Sequence, residues 1–346
     1  MNAPALTAAA LEVSAPKHGV VLVNVGTPDA PTVPAVRKYL AEFLSDPRVV
    51  DLPAPARWAL LRFVILPFRP KKSAHAYQQI WTDDGSPLLL NAHAQAESLA
   101  RELPESEVLV AMRYGSPSIA DAVAELKRRG ISDVTVVPMY PQYALASTLS
   151  ATEKWKAESA GLSTTVLPEF FDDPGFIEAS ADKVRETVKQ CNADYVLFSY
   201  HGLPVHQHAS VCRAGCVRSK DPCATPLQPS SAHCYRGQCH ATTAAIVRTL
   251  GVTAYSTSFQ SRLKGRKWIS PYTDEVIVEL ARKGVKRLAI ACPSFVADCL
   301  ETLEEIGVRA RAAFLEAGGE SLTLVPAVND SPRFIRSLAD RIRGAR

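Results

Sequence analysis

Residues 19–26 read GVVLVNVG, a continuous run of apolar side chains closed by a glycine. This pattern is typical of a strand that is covered on both faces, as in a parallel sheet with helices on either side. The next segment, VPAVRKYLAEFL at 33–44, places Val33, Val36 and Leu40 at helical spacing. Together the two segments predict a strand–helix unit of an α/β fold.

The alternation of strand and helix continues through both halves of the sequence. Further strands are predicted at 107–115, 133–143, 194–202, 252–261, 286–295 and 321–328, and further helices at 119–130 (capped by Ser118), 174–191, 240–251, 272–284, 298–319 and near the end. No short sequence repeat is visible. The pattern predicts two parallel-sheet α/β domains with an active-site cleft between them. The predicted segments are a flexible tail (1–17), a first domain (18–170), a second domain (171–325) with a cysteine-rich insertion (206–239), and a C-terminal helix (326–346).

Composition excludes several function classes. The chain has 346 residues, 47% of them hydrophobic, and a net charge of +4, which argues against nucleic-acid binding. No G-x-G-x-x-G follows the first strand and no Walker A motif is present, which disfavours a nucleotide cofactor. The first residues lack a basic leader and a continuous apolar core, so we expect no signal peptide and a cytoplasmic protein.

The most apolar stretch is WALLRFVILPF at residues 58–68. It is too short to span a membrane and Arg62 interrupts it. Two interpretations are open: a buried helix that ends at Pro67, or an exposed apolar lip that contacts a greasy ligand or a membrane surface. Basic residues flank the stretch on both sides: Arg57, Arg69, Lys71 and Lys72.

His201 stands at the carboxyl end of the predicted strand DYVLFSYHG. Ligands of open α/β sheets gather at such strand ends. A neutral imidazole serves well as a base, but a single histidine here also fits a hydrogen-bonded structural role.

Glu301 and Glu305 lie one helical turn apart in CLETLEEI. Like charges at this spacing cost an exposed helix about 0.2–0.5 kcal/mol unless a cation or proton lies between them. Three interpretations are open: a solvated acidic face, a capping box in which Asp298 pairs with Glu301, and a carboxylate track for a divalent metal.

Five of the eight cysteines fall in one loop-like segment, at 212, 216, 223, 234 and 239. Four thiolates bind either Zn²⁺ or an iron–sulfur cluster. So dense a group of unliganded thiols is the third, less favoured interpretation.

The chain resembles one family over most of its length, from about Gly19 to about Leu338. The motifs that carry the resemblance are LVNVGTPDAPT, IWTDDGSPLL, MRYGSPSI, PMYPQYALAST, SYHGLP, TSFQSRLKGRKWISPYTDE and CPSFVADCLETLEEI. In this order they are similar to the ferrochelatases. The resemblance implies two Rossmann-like, chelatase-type domains, a C-terminal helix that returns to the first domain, and insertion of Fe²⁺ into a free-base porphyrin to form haem.

The resemblance also implies roles for single residues. His201 becomes a proton acceptor or metal contact, Glu301 the opposing carboxylate, and Glu305, with Asp298, an extension of a metal or proton path. The expected substrate-binding residues are Arg113, Tyr143, Gln260 and Trp268, with Arg113 pairing with a propionate. The 54–70 segment matches a hydrophobic active-site lip, which favours the exposed interpretation and a peripheral contact with the inner face of the plasma membrane.

For the cysteines, the resemblance favours a [2Fe–2S] cluster over Zn²⁺. The favoured ligands are Cys212, Cys216, Cys223 and Cys234, with Cys239 as a substitute. The expected partners are a porphyrin and ferrous iron, and the chain is expected to be a monomer or homodimer.

Three alternative functions stay open. The resemblance favours protoporphyrin IX as substrate, and a coproporphyrin ferrochelatase is the nearest alternative. Another tetrapyrrole metal chelatase would share the fold but use a different set of histidines. A non-enzymatic iron–sulfur or zinc redox sensor would depend on its cysteines and not on His201.

Overall fold

The computed structural model describes residues 18–212, 227, 231–263 and 267–346. Within these residues, two parallel sheets of four strands each form the framework. The first sheet contains β1 (His18–Thr27), β2 (Ser106–Gly115), β3 (Asp133–Pro138) and β4 (Ser163–Val166), and the second contains β5 (Tyr195–His201), β6 (Tyr255–Gln260), β7 (Arg287–Ala291) and β8 (Ser321–Leu324). The predicted α/β fold class with two parallel sheets is confirmed.

The two sheets repeat one strand order. The first runs β2-β1-β3-β4 and the second runs β6-β5-β7-β8, so β1 and β5 occupy equivalent central positions. In the first sheet Val21 pairs with Leu109 on one side and Val136 on the other. The chain thus contains a structural duplication that no short sequence repeat reveals, and the ends of β1 and β5 are equivalent places for ligand-binding residues.

Helices flank both sheets. They are α1 (Val33–Ser45), α2 (Ala54–Leu60), α3 (Leu66–Gln78), α4 (Pro87–Glu102), α5 (Ile119–Arg128), α6 (Ser150–Glu158), α7 (Pro174–Cys191), α8 (Val205–Ala209), α9 (Tyr235–Leu250), α10 (Thr273–Arg282), α11 (Leu300–Leu303), α12 (Arg311–Glu316) and α13 (Pro332–Gly344), with π-helical turns at Leu61–Ile65, Leu145–Leu149 and Glu305–Ala310. Ser118 caps α5 as predicted, in a reciprocal capping box with Asp121.

The last helix, α13, joins the two halves. It packs against α7 and α4. The Phe334 ring lies 6.0 Å from Phe176 and 5.9 Å from Phe170. Arg343 donates a hydrogen bond of 2.6 Å to the Glu102 carbonyl at the end of α4. Removal of α13 would therefore uncover apolar surface on both halves.

Several elements differ from the sequence-based prediction, which included neither α4 nor α6. β4 was not predicted, because its four residues lie at a sheet edge and lack a continuous apolar run. β3 ends at Pro138, not at residue 143, and the chain then turns toward the cleft. The helix predicted at 298–319 is divided into α11, a π-helical turn and α12. Such turns are frequent at functional sites, and this one begins at Glu305, four residues after Glu301.

Candidate active site

One large cleft lies between the two sheets. Its cavity volume is about 230 Å³, and it is partly open to solvent. Strand ends of both sheets line it, with Asn24 to Thr27 at the end of β1, Met139 and Tyr140 after β3, His201 at the end of β5, and Ser294 to Ala297 after β7. The surface is mainly apolar, as expected of a site for a large flat ligand. His201 and Glu301 are both among its lining residues.

Side chains of neighbouring elements hold the His201 backbone by hydrogen bonds. Its amide donates to Ser294 Oγ at 3.0 Å, and its carbonyl accepts from the Tyr235 hydroxyl at 2.7 Å. The ring Nδ1 lies 2.7 Å from the Gly202 carbonyl oxygen. A carbonyl oxygen only accepts, so Nδ1 carries the proton of the neutral ring and Nε2 presents a lone pair. His201 is thereby prepared to accept a proton or contact a metal through Nε2.

Gly202 allows the chain directly after β5 to lie close to Gln260 at the end of β6. A Cβ at this position would stand 2.7 Å from the Gln260 carbonyl oxygen and 3.2 Å from the Trp268 ring. The Gly202 amide donates to the same carbonyl at 2.8 Å. Any larger residue at 202 would displace β6 or Trp268 and with them the His201 ring.

Glu301 enters the cleft from the first turn of α11. The N-cap of this helix is Cys299. Its backbone amide donates a hydrogen bond of 3.0 Å to Thr302 Oγ1. The interpretation of Asp298 and Glu301 as a capping box is therefore wrong, because Cys299 and Thr302, each one residue later, form the box. Asp298 instead accepts from the Ala327 amide and the Asn329 side chain at 3.2 and 2.9 Å. Glu301 is not part of this capping box and lines the cleft.

Glu305 lies behind Glu301 and does not line the cleft. Its carboxylate accepts from the Ser261 amide at 2.8 Å and from the Ser261 hydroxyl at 2.6 Å. Gln260 joins the two acidic residues: its Nε2 donates to the Glu301 carbonyl at 2.7 Å and lies 3.5 Å from Glu305. Gln260 therefore positions the Glu301 backbone, and Glu305 extends a polar track away from the cleft.

Two tyrosines of the first half form a neutral wall near Glu301. Burial raises the pKa of Tyr77 well above its ordinary value, and the charge of Glu301 raises it further. Burial also raises the pKa of Tyr39, and the same carboxylate adds to the effect. Both phenols stay protonated at physiological pH. Arg69 of α3 lines the cleft as well and interacts with the charge of Glu301.

Arg113 does not line the cleft. Its Nη2 donates to Asp46 Oδ2 at 2.5 Å, and its Nε donates to Ser150 Oγ at 2.7 Å. Tyr114 donates its hydroxyl to the same Asp46 oxygen at 2.8 Å. The Arg113 guanidinium is thus paired with Asp46 in this structure, and a contact between Arg113 and a propionate stays a prediction.

Tyr143 and Trp268 also lie beside the cleft lining and not within it. The Tyr143 ring centroid is 4.5 Å from that of His233, and its amide donates to Gln238 Oε1 at 2.6 Å. Trp268 packs against Gly202, directly behind His201. These contacts give both residues supporting positions around the site.

The sequence did not single out several lining residues. Tyr39, Tyr77 and Tyr235 carried no signal, since aromatic residues in helices usually pack in a core. Ser294 lies in the motif CPSF, which the resemblance included without a role for the serine. Only the fold brings these residues to the cleft.

A second group of ligand-type side chains lies around the end of α8 and the start of α9. His208, Cys212 and Cys234 each place a donor atom within 4.8 Å of the others. Cys212 Sγ and Cys234 Sγ are 3.4 Å apart. Cys239, the predicted substitute ligand, is not in this group and is fully buried in the core. Cys216 and Cys223 lie outside the described residues.

The 54–70 segment is an exposed lip and not a buried helix. Large apolar side chains are 56–75% exposed: Trp58, Phe63, Val64 and Phe68. No break occurs at Pro67, which lies in the first turn of α3. On the inner side of α3, Arg69, Ser73 and Tyr77 line the cleft. Among the described helices, none has the length and apolar character needed to cross a membrane.

Comparison with known proteins identifies the family. The family model described as Ferrochelatase matches residues 17–346. A Ferrochelatase of Coxiella burnetii is 44% identical over 93% of this chain and 92% of its own length. One of Opitutus terrae is 46% identical over 95% and 97%. One of Legionella pneumophila is 44% identical over 93% and 97%.

Solved structures show the same fold at low identity. SirB from Bacillus subtilis with Fe³⁺ superimposes with a TM-score of 0.55 at 12% identity, covering 95% of each chain. This likeness concerns the architecture of two sheets around a cleft. Since the family model covers nearly the whole sequence and the relatives exceed 40% identity, the chain belongs to the ferrochelatase family.

Proposed function

We propose that this chain inserts Fe²⁺ into a free-base porphyrin, with protoporphyrin IX as the favoured substrate, to form haem and release two protons. The observation that carries the proposal is that His201 and Glu301, from separate elements of the second half, line one large apolar cleft. A planar macrocycle needs such a cleft, and its metalation needs a proton acceptor and a group for the cation.

The reaction replaces two inner N–H bonds of the porphyrin by bonds to iron, with no change in oxidation state. His201 Nε2, whose lone pair is free while Nδ1 donates to Gly202, accepts a pyrrole proton. The Ser294 and Tyr235 hydrogen bonds keep the His201 backbone in place. The ring is thus positioned before the substrate binds, which lowers the entropic part of the barrier.

Glu301 supplies negative charge in a mainly apolar space. A carboxylate there attracts Fe²⁺ or takes a proton that leaves the macrocycle. The neutral phenols of Tyr39 and Tyr77 do not compete for the cation. Glu305, held by Ser261, provides the next oxygen ligands along the polar track.

Anaerobic mixing of purified protein with Fe²⁺ and a free-base porphyrin tests this function. We expect the absorbance bands of the free base to be replaced by those of the metalloporphyrin. The rate of this change should be higher with protoporphyrin IX than with coproporphyrin. Glu301→Gln keeps the size of the side chain but removes its charge, so we expect a rate about 10²–10³-fold lower.

The matched control is Glu316→Gln, which changes a carboxylate at the end of α12 outside the cleft lining. It should metalate at the wild-type rate. Equal rates of the wild type and Glu301→Gln would contradict the assignment of Glu301. Faster metalation of coproporphyrin would make that porphyrin the substrate, and metalation of neither would refute the function.

We also propose a second, non-catalytic metal centre in the cysteine-rich segment. The resemblance favours [2Fe–2S] held by Cys212, Cys216, Cys223 and Cys234, with zinc as the alternative. The 3.4 Å between the Cys212 and Cys234 sulfurs supports a shared metal atom, which both alternatives contain. When bound, the metal would cross-link the end of α8 to the start of α9, in a structural or sensing role.

The lip is proposed to contact an anionic membrane surface. Its aromatic side chains are exposed, and Arg62, Lys71 and Lys72 beside them are exposed as well. We expect the double variant Phe63→Ser, Phe68→Ser to bind anionic lipid vesicles at least about tenfold more weakly, because burying each phenylalanine contributes about 1.5–3 kcal/mol.

Co-sedimentation with vesicles that contain phosphatidylglycerol measures this binding. Leu315→Ser, which removes an exposed apolar side chain from α12, serves as the control and should bind like the wild type. Vesicle binding that is absent in the wild type, or equal in all three proteins, would rule out the membrane contact.

A further inference from the structure

His208 is buried, and one of its ring nitrogens has no hydrogen-bond partner among the described residues. Only 1% of the His208 surface is exposed. Within the described part of the chain, Nδ1 has no hydrogen-bond partner and Nε2 lies 3.9 Å from Cys234 Sγ. Buried polar groups are nearly always satisfied, so this ring requires an explanation.

The three donor atoms have the spacing of a single coordination shell. Ligand atoms held at about 2.0–2.3 Å from one tetrahedral metal stand about 3.5–3.8 Å apart. The observed separations are 3.4 Å between Cys212 Sγ and Cys234 Sγ, and 3.9 Å between Cys234 Sγ and His208 Nε2. The set as a whole lies within 4.8 Å. One ion therefore reaches all three atoms with shifts of a few tenths of an ångström.

The surrounding elements bring these donors together. His208 and Cys212 are four residues apart at the end of α8. Cys234 is the N-cap of α9, and its Sγ accepts from the Gly237 amide at 3.4 Å. A thiolate is favoured at the N-terminus of a long helix, where amide groups and the helix dipole face it.

We propose that His208 is a metal ligand and that it binds the same ion as the thiolates of Cys212 and Cys234. The inference rests on the proposed metal centre and not on the porphyrin chemistry. Each iron of a [2Fe–2S] cluster takes two protein ligands, whereas a structural Zn²⁺ takes four and commonly mixes histidine with cysteine. Three protein donors around one point therefore favour a mononuclear ion of the zinc class, with a further ligand in the fourth position.

This site has a structural link to the catalytic histidine. Tyr235 follows Cys234 directly, and its hydroxyl donates to the His201 carbonyl. His208 lies seven residues after His201, beyond the short Gly-Leu-Pro turn. An ion bound by His208, Cys212 and Cys234 closes the segment between α8 and α9, and Tyr235 at the start of α9 contacts His201.

Metal analysis of purified protein, prepared with zinc and separately reconstituted with iron and sulfide, tests the proposal. The wild type should hold roughly one zinc per chain. His208→Ala should bind zinc more than about 100-fold more weakly, since even outer-shell changes cost about 10–100-fold in metal affinity. His206→Ala is the matched control on the same helix: its side chain is 45% exposed beside Asp51, and it should keep the metal.

X-ray absorption at the zinc edge of the wild type keeps the test valid if His208→Ala fails to fold. We expect nitrogen at about 2.0–2.1 Å together with sulfur at about 2.3 Å. An all-sulfur shell, or a [2Fe–2S] spectrum with the cluster retained in His208→Ala, would overturn the role of His208 and leave a metal centre in place. Absence of any bound metal would overturn both. Porphyrin metalation is measured separately and decides neither outcome.

Discussion

Replacement of His201 by alanine is expected to lower kcat for porphyrin metalation by about 10²–10⁴-fold, the range for loss of a positioned proton acceptor. The expectation follows from the ring's geometry. Nδ1 is occupied by the Gly202 carbonyl, so Nε2 is the nitrogen that acts in the cleft. Alanine removes the acceptor without altering the backbone bonds from Ser294 and Tyr235.

Stopped-flow absorbance under saturating Fe²⁺ and porphyrin measures this effect. His206→Ala, four residues beyond Gly202, is a suitable control because its exposed ring lies outside the cleft lining. Porphyrin affinity, measured by fluorescence quenching, should change little in His201→Ala, since the apolar walls supply most of the binding. A variant that binds porphyrin and metalates it at the wild-type rate would remove His201 from the mechanism.

The sequence predicted the buried strands well because their signal is local. β1 and β5 are continuous apolar runs that end in a glycine or at His201, and the alternation with helices implied parallel pairing. β4 was not predicted, because an edge strand whose residues alternate in exposure resembles a loop in sequence. The π-helical turn at Glu305–Ala310 was not predicted either, since a one-residue change in helical register leaves no mark in an apolar pattern.

The position of some candidate site residues at the cleft could be predicted for the same physical reason. His201 and Glu301 stand in short motifs that position them at the start or end of an element, and both reach the cleft. Arg113 was expected to face a propionate, but whether a cation faces substrate or an internal carboxylate depends on Asp46, 67 residues away. His208 was not among the predicted metal ligands, because its relation to Cys234 exists only after α8 and α9 pack together.

Asp46→Asn should produce a large loss of stability, about 3–5 kcal/mol in the free energy of unfolding, as expected when one partner of a buried ion pair is removed. Asp46 caps the end of α1, and its side chain is 3% exposed. One oxygen accepts from Arg113, Tyr114 and Ser150 at 2.5–2.8 Å. An asparagine there loses the charge that Arg113 requires and turns an amide donor toward other donors.

The pH dependence separates this pair from other causes. Burial by itself would raise the pKa of Asp46, but hydrogen bonds from Ser150, the Arg48 amide and Tyr114, with the charge of Arg113, lower it below its ordinary 3.8. A lowered pKa means that the stabilisation is fully present above pH 3.8 and is lost as pH falls through the folded-state value. The stability difference between wild type and Asp46→Asn should stay constant from about pH 5 to pH 8 and narrow only below pH 4.

Urea unfolding at several pH values, with Asp340→Asn as control, measures these differences. Asp340 is 75% exposed in a surface pair with Arg343, and such pairs contribute about 0–1 kcal/mol. The Asp46→Asn substitution should also disturb the cleft wall. Tyr114 donates to Asp46, and its ring centroid lies 5.1 Å from that of Phe43, a lining residue. If Asp46→Asn unfolds at the wild-type urea concentration, Arg113 does not depend on Asp46 and its guanidinium is available to the porphyrin. If stability falls as expected, the Asp46–Arg113 pair is part of the framework that supports the cleft wall.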